Sequence, residues 1–165
     1  MIGDGMGYEH LKLAKWVEIG KLEKLSIEKL PFINNVTTYS ADNSVTDSAA
    51  AATAIATGYK TNNGYLSISP NLISVETILE VAQKKGKSSG VVSTTEVTHA
   101  TPAAFMTHVL SRYQTSEIVR QIVEESGVDI IMGGGKNYFN SQQLNQMQNN
   151  GYAFIENSTG LQNIT

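Results

Sequence analysis

Ser48 stands at the head of an alanine-rich run, Val45-Thr46-Asp47-Ser48-Ala49-Ala50-Ala51-Ala52-Thr53-Ala54. A serine hydroxyl in the first turn of a helix can act as a nucleophile, because the unpaired first-turn amides and the positive end of the helix dipole favour an anion beside it. That anion could be a phosphate, or the alkoxide that Ser48 must become. The same Thr, Asp and Ser before alanines also make an ordinary N-terminal cap, and this segment by itself leaves both readings open. Asp4 sits between Gly3 and Gly5, on backbone without Cβ obstruction, where a cation or phosphate could approach closely. Gly-Asp-Gly is equally good turn chemistry, and Gly3-x-Gly5-x-Gly7 lacks the spacing of a dinucleotide fingerprint. His99-Ala100-Thr101-Pro102 sets an imidazole and a hydroxyl two residues apart, on one side of the chain if the backbone is extended. Oxygen ligands suit magnesium, and a nearby imidazole could order a water or bind zinc; a hydrogen-bonded histidine and a capping threonine are the plainer account. Arg112 offers a planar fork that can grip two phosphate oxygens, although spacing alone does not separate that role from a solvated helix end. His108 is read as structural.

These groups need a scaffold, and the chain alternates apolar runs of strand length with segments of helical period. That pattern predicts an α/β layered sandwich with a largely parallel central sheet flanked by helices. The opening residues read as the end of a strand running into a turn, followed by a helix with Leu11, Ala14, Val17 and Ile19 on its apolar side. Residues 32–39 read as a strand entered at Pro31, and residues 48–57 as the alanine helix, stopped by Gly58. Asn62-Asn63-Gly64 reads as a turn, and residues 74–85 as a helix with Val75, Ile78, Leu79 and Ala82 inward. A strand over 90–94 follows, then a helix over 103–110 with Pro102 in its first turn, and another over 116–125 capped by Ser116. Residues 128–132 read as a buried strand ending at Gly133-Gly134-Gly135, residues 142–148 as a helix and residues 152–155 as a strand. In an open sheet of this kind the ligand crevice lies outside the carboxyl ends of the strands. Asp4, the segment from Thr46 to Ser48, and the segment from Thr95 to Thr101 all fall at such ends, so they are expected to converge.

At 165 residues with 41% hydrophobic content, the chain is sized for one globular domain with a core of its own. A net charge of -3 gives no general attraction to nucleic acid or anionic membranes, so phosphate recognition must be local. Lys84, Lys85 and Lys87 form the one tight basic cluster and read as a solvated helix end. Zero cysteines exclude disulfides and thiolate metal sites, leaving carboxylate, imidazole and hydroxyl as ligands. No run approaches the length of a membrane span, and no signal peptide pattern is present. The strand at the start lacks its beginning, which reads as a fragment of a longer protein.

Taken together the motifs resemble the alkaline phosphatase family. The residues that carry the resemblance are Ile2-Gly3-Asp4-Gly5-Met6-Gly7, the Val45-to-Ala54 run continued through Ala56-Thr57-Gly58, Lys60-Thr61-Asn62-Asn63-Gly64, Val97-Thr98-His99-Ala100-Thr101-Pro102-Ala103-Ala104, and Asp129-Ile130-Ile131-Met132-Gly133-Gly134-Gly135. Each motif alone is weak; their common order over most of the chain is specific. The resemblance implies hydrolysis of phosphate monoesters through a phosphoserine at Ser48, with two zinc ions and one magnesium ion in the complete protein. It implies that Asp4 bridges the second zinc and the magnesium, that Ser48 also contacts metal, and that Thr101 is a magnesium ligand. Arg112 would clamp the non-bridging phosphate oxygens and Asp47 would orient it. His99 stands where some members carry Asp, and an auxiliary or indirect metal contact is expected of it.

The pattern breaks downstream. The family's remaining zinc ligands are His and Asp residues far along the chain, whereas the histidines here are His10, His99 and His108, and the only Asp after Arg112 is Asp129. Residues 1–165 are therefore expected to be a single partial domain, truncated at both ends, with little activity alone. A homodimer of the full-length protein and a periplasmic or extracellular location are family expectations. Two alternatives remain: a non-enzymatic phosphate- or nucleotide-binding α/β module, and a phosphodiesterase of the same superfamily. A sulfatase ranks low, since Ser48 is followed by alanines rather than by the x-Pro-x-Arg of a sulfatase motif.

Overall fold

The computed structural model describes residues 1–20 and 23–163. They divide into two units, Met1–Tyr39 and Ser40–Thr165. In the first, helix α1 spans Tyr8–Glu18 and a 3₁₀ turn spans Ser26–Lys29. Lys15 of α1 pairs with Glu28 at 3.4 Å, and Tyr8 donates its hydroxyl to Asn35 Oδ1 at 2.8 Å. The apolar side of α1 does not turn inward as its pattern predicts: it has no buried residue, and Val17 is 73% exposed. Nor are residues 1–3 or 32–39 strands; both run as irregular backbone. Phe32, Ile33 and Val36 suit a pleated surface, but that preference becomes a strand only where a neighbour completes the ladder, and here all three are exposed.

The second unit is built around helix α2, Ser48–Thr57. Alanine is the best helix former, and both ends are marked by residues that fit them. Asp47 caps the start, its Oδ1 accepting the Ala50 N–H at 2.9 Å, and Gly58 ends the helix at φ 78° with its N–H on Ala54 O. The small side chains let the short helix α4, Ala100–Ala103, pack directly against α2. Ala49, Ala52, Ala100, Ala103 and Ala104 share one core with Leu66, Val91, Ile118, Ile122 and Val128.

Helix α3 covers Ile78–Lys84, shorter at its start than residues 74–85 because Thr77 caps it. The Thr77 hydroxyl accepts the Glu80 N–H and the Glu80 carboxylate accepts the Thr77 N–H at 2.7 Å, a reciprocal capping box. Leu79 points inward as expected but Ile78 is exposed. The lysine cluster does form a solvated helix end, with Lys84 paired to Glu76.

Strands β1, Gly90–Glu96, and β2, Ile130–Gly134, pair in parallel, in register from Gly90–Ile130 to Val92–Met132 and then slipped to Glu96–Gly134. At Gly133 a Cβ would stand 2.8 Å from Val97 Cγ1 and 3.0 Å from Thr95 O, so only glycine lets the strands approach there. The crossover between the strands carries α4 and helix α5, Thr115–Glu124, which buries Ile118, Val119, Ile122 and Val123. Gln114 rather than Ser116 occupies its N-cap, without a side-chain cap bond. The helix expected over 103–110 is replaced by α4 and an extended segment. Leu66 and Val109 exchange both backbone hydrogen bonds, at 2.9 and 3.0 Å, so the helical bonding that ends with the Thr107 N–H on Ala103 O is not continued over residues 108–110. Helices α6, Ser141–Asn149, and α7, Ser158–Gln162, follow, and Asn140 caps α6 through another box. Residues 152–155 are irregular, not a strand; Tyr152 donates its hydroxyl to Val128 O instead of joining a ladder. The fold is α/β, a small parallel sheet together with helices.

Candidate active site

Three donors converge on the carboxylate of Asp47. Oδ1 takes the Ala50 N–H, while Oδ2 accepts the Gly64 N–H at 3.1 Å and the Arg112 guanidinium at 3.2 Å. One side chain thus caps the helix that begins at Ser48, anchors the 62–64 turn and seats the arginine. The Asp47 and Arg112 side chains are 27% and 19% exposed, so the pair is shielded yet reachable from solvent. Arg112 is held again by its backbone, whose N–H donates to Gly64 O at 2.7 Å. Its other terminal nitrogen donates to His99 Nε2 at 3.2 Å. A guanidinium can only donate, so Nε2 must carry a lone pair and the ring proton of neutral His99 belongs on Nδ1.

His99 is the N-cap of α4 and Thr101 its second residue. The two side chains therefore do not share one side of an extended strand as their spacing suggests; a helix starts between them. Thr101 is half-buried on α4 and Ser48 half-buried on α2, the two helices that pack together. A cleft of about 150 Å³ opens beside Arg112, lined by Glu96, Thr98, His99, Tyr113 and Tyr138 among others. The Thr95 hydroxyl, donating to the Glu96 carboxylate at 2.9 Å, holds that carboxyl below its ordinary range and keeps the cleft wall anionic.

Of the three segments expected at strand ends, that after β1 follows a strand and leads into this region. Thr46 is reached through an irregular loop, in which Ser40, Asp42 and Asn43 bond to one another. Asp4 belongs to the first unit, in a turn closed by the Met6 N–H on Gly3 O, with Gly5 at φ 68°. His108 is structural, as expected, though not on a helix: Nδ1 meets Ser67 O at 2.8 Å and Nε2 meets the Glu80 carboxylate at 3.0 Å. Among the described residues no group of three or more His, Asp or Glu side chains is placed to hold a metal ion. Two contributors that spacing does not single out are Asn63, on the turn beside Asp47, and Thr53. The buried Thr53 hydroxyl donates to Tyr65 O and accepts the Ser67 N–H, tying the turn's strap to α2. An Asn-Gly pair in a turn is the one sequence signal for the first, and the second has none.

Residues 1–159 match the family model described as alkaline phosphatase. The chain belongs to the alkaline phosphatase family. Alkaline phosphatase 3 of Bacillus subtilis (strain 168) is 35% identical over 170 residues, a span of 94% of this chain and 37% of that protein. The crystal structure of a cold-active alkaline phosphatase from the psychrophile Shewanella sp. superposes with a TM-score of 0.93 at 37% identity, covering 100% of this chain and 42% of that one. A histidine-to-aspartate mutant of TAB5 alkaline phosphatase, solved with magnesium bound in its M3 site, superposes with a TM-score of 0.75 at 30% identity, covering 90% of this chain and 45% of its own. The chain thus spans less than half the length of these alkaline phosphatases.

Proposed function

We propose that this chain supplies the nucleophile and the phosphate clamp of a metal-dependent phosphomonoesterase, and that the complete protein hydrolyses phosphate monoesters through a phosphoserine at Ser48. The observation that carries this reading is the shared carboxylate: Asp47 caps the helix that starts at Ser48 and seats Arg112. A phosphate bound between them would meet the first-turn amides and dipole of α2 on one side and the guanidinium fork on the other. In the first displacement Ser48 releases its hydroxyl proton as Oγ bonds to phosphorus, the ester P–O bond breaks, and the alcohol leaves with that electron pair and takes up a proton. In the second, a water oxygen bonds to phosphorus, the P–Oγ bond breaks, Ser48 regains its proton and phosphate departs. Arg112 stays on the non-bridging oxygens through both, aimed by Asp47 and His99.

Two zinc ions and one magnesium ion in the complete protein belong to the reading, with Asp4, Ser48 and Thr101 contributing from this chain and His99 as an auxiliary group that reaches the site through Arg112. Magnesium in the TAB5 relative supports the metal dependence; such metals neutralise charge at the reacting oxygens and acidify a coordinated hydroxyl or water. Small phosphate monoesters, a homodimer at full length and a periplasmic or extracellular location complete the proposal; no described helix is long and apolar enough to cross a membrane. The 165-residue chain by itself is expected to turn over little, since an unassisted serine hydroxyl is a poor nucleophile.

The test is trapping. Full-length protein mixed with an aryl phosphate, quenched in acid and digested should yield a peptide phosphorylated at Ser48, and Ser48→Ala should lose at least about 10³-fold in kcat/KM. Turnover that survives Ser48→Ala, or faster hydrolysis of a diester than of the monoester, overturns the assignment. Phosphate binding without turnover would favour the binding-module alternative.

A further inference from the structure

We infer that Asn63 is a positioning residue for the phosphate clamp, an inference that rests on the assignment of Ser48 and Arg112 above. Its side-chain amide is used at both ends on the segment that presents Ser48: Oδ1 accepts the Asp47 N–H at 3.0 Å, and Nδ2 donates to Val45 O at 2.9 Å. Its own backbone N–H donates to Asp42 Oδ1 at 2.9 Å, and that bond, first among several, holds the Asp42 carboxyl below its ordinary range. The next residue, Gly64, then bonds both other members of the site. Its N–H goes to Asp47 Oδ2 and its C=O takes the Arg112 N–H. Gly64 holds φ 87°, a conformation that suits glycine, so the turn can present both groups from one residue.

The consequence is a splint. The nucleophile-bearing segment and the arginine come from distant parts of the chain, and the Asn63-Gly64 turn is bonded to both. A backbone amide bonded to an Asn side chain is fixed in direction, so the Asp47 side chain leaves the main chain at an angle set by Asn63. The seat of the guanidinium follows from that angle. Asn63 touches neither phosphate nor the reacting atoms in this scheme; it acts through Asp47 on Arg112.

A residue that only supports the fold would lower stability and leave the arginine's contribution intact. A positioning residue makes that contribution conditional, and a double-mutant cycle separates the two. In the full-length protein, Asn63→Ala should lower kcat/KM for an aryl phosphate about tenfold and weaken competitive inhibition by inorganic phosphate by a similar factor. In an Arg112→Ala background the same substitution should change kcat/KM less than about twofold. If Asn63→Ala does not accumulate as folded protein, Asn63→Asp carries the cycle: it keeps the acceptor for the Asp47 N–H, and replaces the donor to Val45 O by a carboxylate oxygen and a negative charge. It too should be non-additive with Arg112→Ala. Equal losses in both backgrounds, or unchanged phosphate inhibition, overturn the inference. Ser48→Ala run alongside separates the two levels: if it abolishes turnover while the cycle is additive, the splint fails alone; if it does not, the underlying assignment fails.

Discussion

Replacing Asp47 by asparagine tests whether one carboxylate serves three structural purposes. The carboxylate has two oxygens and receives three donors, the Ala50 N–H, the Gly64 N–H and Arg112. Asparagine has one oxygen, and its NH₂ must face donors wherever it points. With the oxygen kept on Ala50 the helix cap survives, since Asn and Asp cap almost equally well. Gly64 then points an N–H at an NH₂ group, which costs about 1 to 2 kcal/mol. Loss of the ion pair with Arg112 adds roughly 1 kcal/mol, a value kept low because both partners retain some exposure. Asp47→Asn should therefore destabilise the protein by about 2 to 3 kcal/mol, and Asp47→Ala, which also loses the cap, by about 1 kcal/mol more. Urea unfolding followed by circular dichroism, with inorganic phosphate inhibition measured on the same samples, reads both consequences. Both variants should bind phosphate more weakly, because Arg112 has lost one of its two side-chain supports. Asn and Ala variants of equal stability would show that the cap bond contributes nothing. A loss below about 0.5 kcal/mol for either would show that the convergence on Asp47 is not what holds this part of the fold.

Gly133→Ala should destabilise the protein by about 1 to 3 kcal/mol in the same unfolding assay, because the added methyl meets Val97 and the Thr95 carbonyl across the slipped part of the sheet; unchanged stability would mean the strands part there without cost. Acid should act on α5 through Glu117, whose carboxyl is held down to about 2 by the Arg120 guanidinium and secondarily by the Gln121 amide. The folded protein binds this proton more weakly than the unfolded chain, so the contribution is complete above pH 4.5 and is lost as pH falls from there toward 2. The stability difference between the unchanged protein and Glu117→Gln should shrink over that window; a difference that stays constant would refute it.

What could be read in the sequence was local. The alanine helix with Asp47 before it and Gly58 after it, strand β1 and helix α6 all follow from patterns contained in one segment, whereas β2 forms two residues later than the expected 128–132 and is largely exposed rather than buried. The failures are places where a distant segment decides. Residues 103–110 have helical periodicity, yet Leu66 competes for the backbone of Val109 and takes it. Residues 32–39 and 152–155 have strand composition and no ladder. The site divides in the same way. Ser48, Arg112 and His99 announce themselves as groups with chemistry, and the structure brings Asp47, Arg112 and His99 into direct contact. Asn63 and Thr53 are ordinary by type, and their roles exist only in the company that folding provides.

The bonds of the clamp differ in reach, and that sets an order of assembly. Helix α2 and its cap join residues a few positions apart, and the Asn63 bond to Asp47 spans 16. The Arg112 bond to Asp47 spans 65. Closing a longer loop costs more entropy and must wait for more of the chain, so the arginine's bond is the last of these to become available. The cap of the serine-bearing helix and its Asn63 bond are complete within residues 47–63, whereas the grip on phosphate requires the chain to have grown past strand β1 and helix α4.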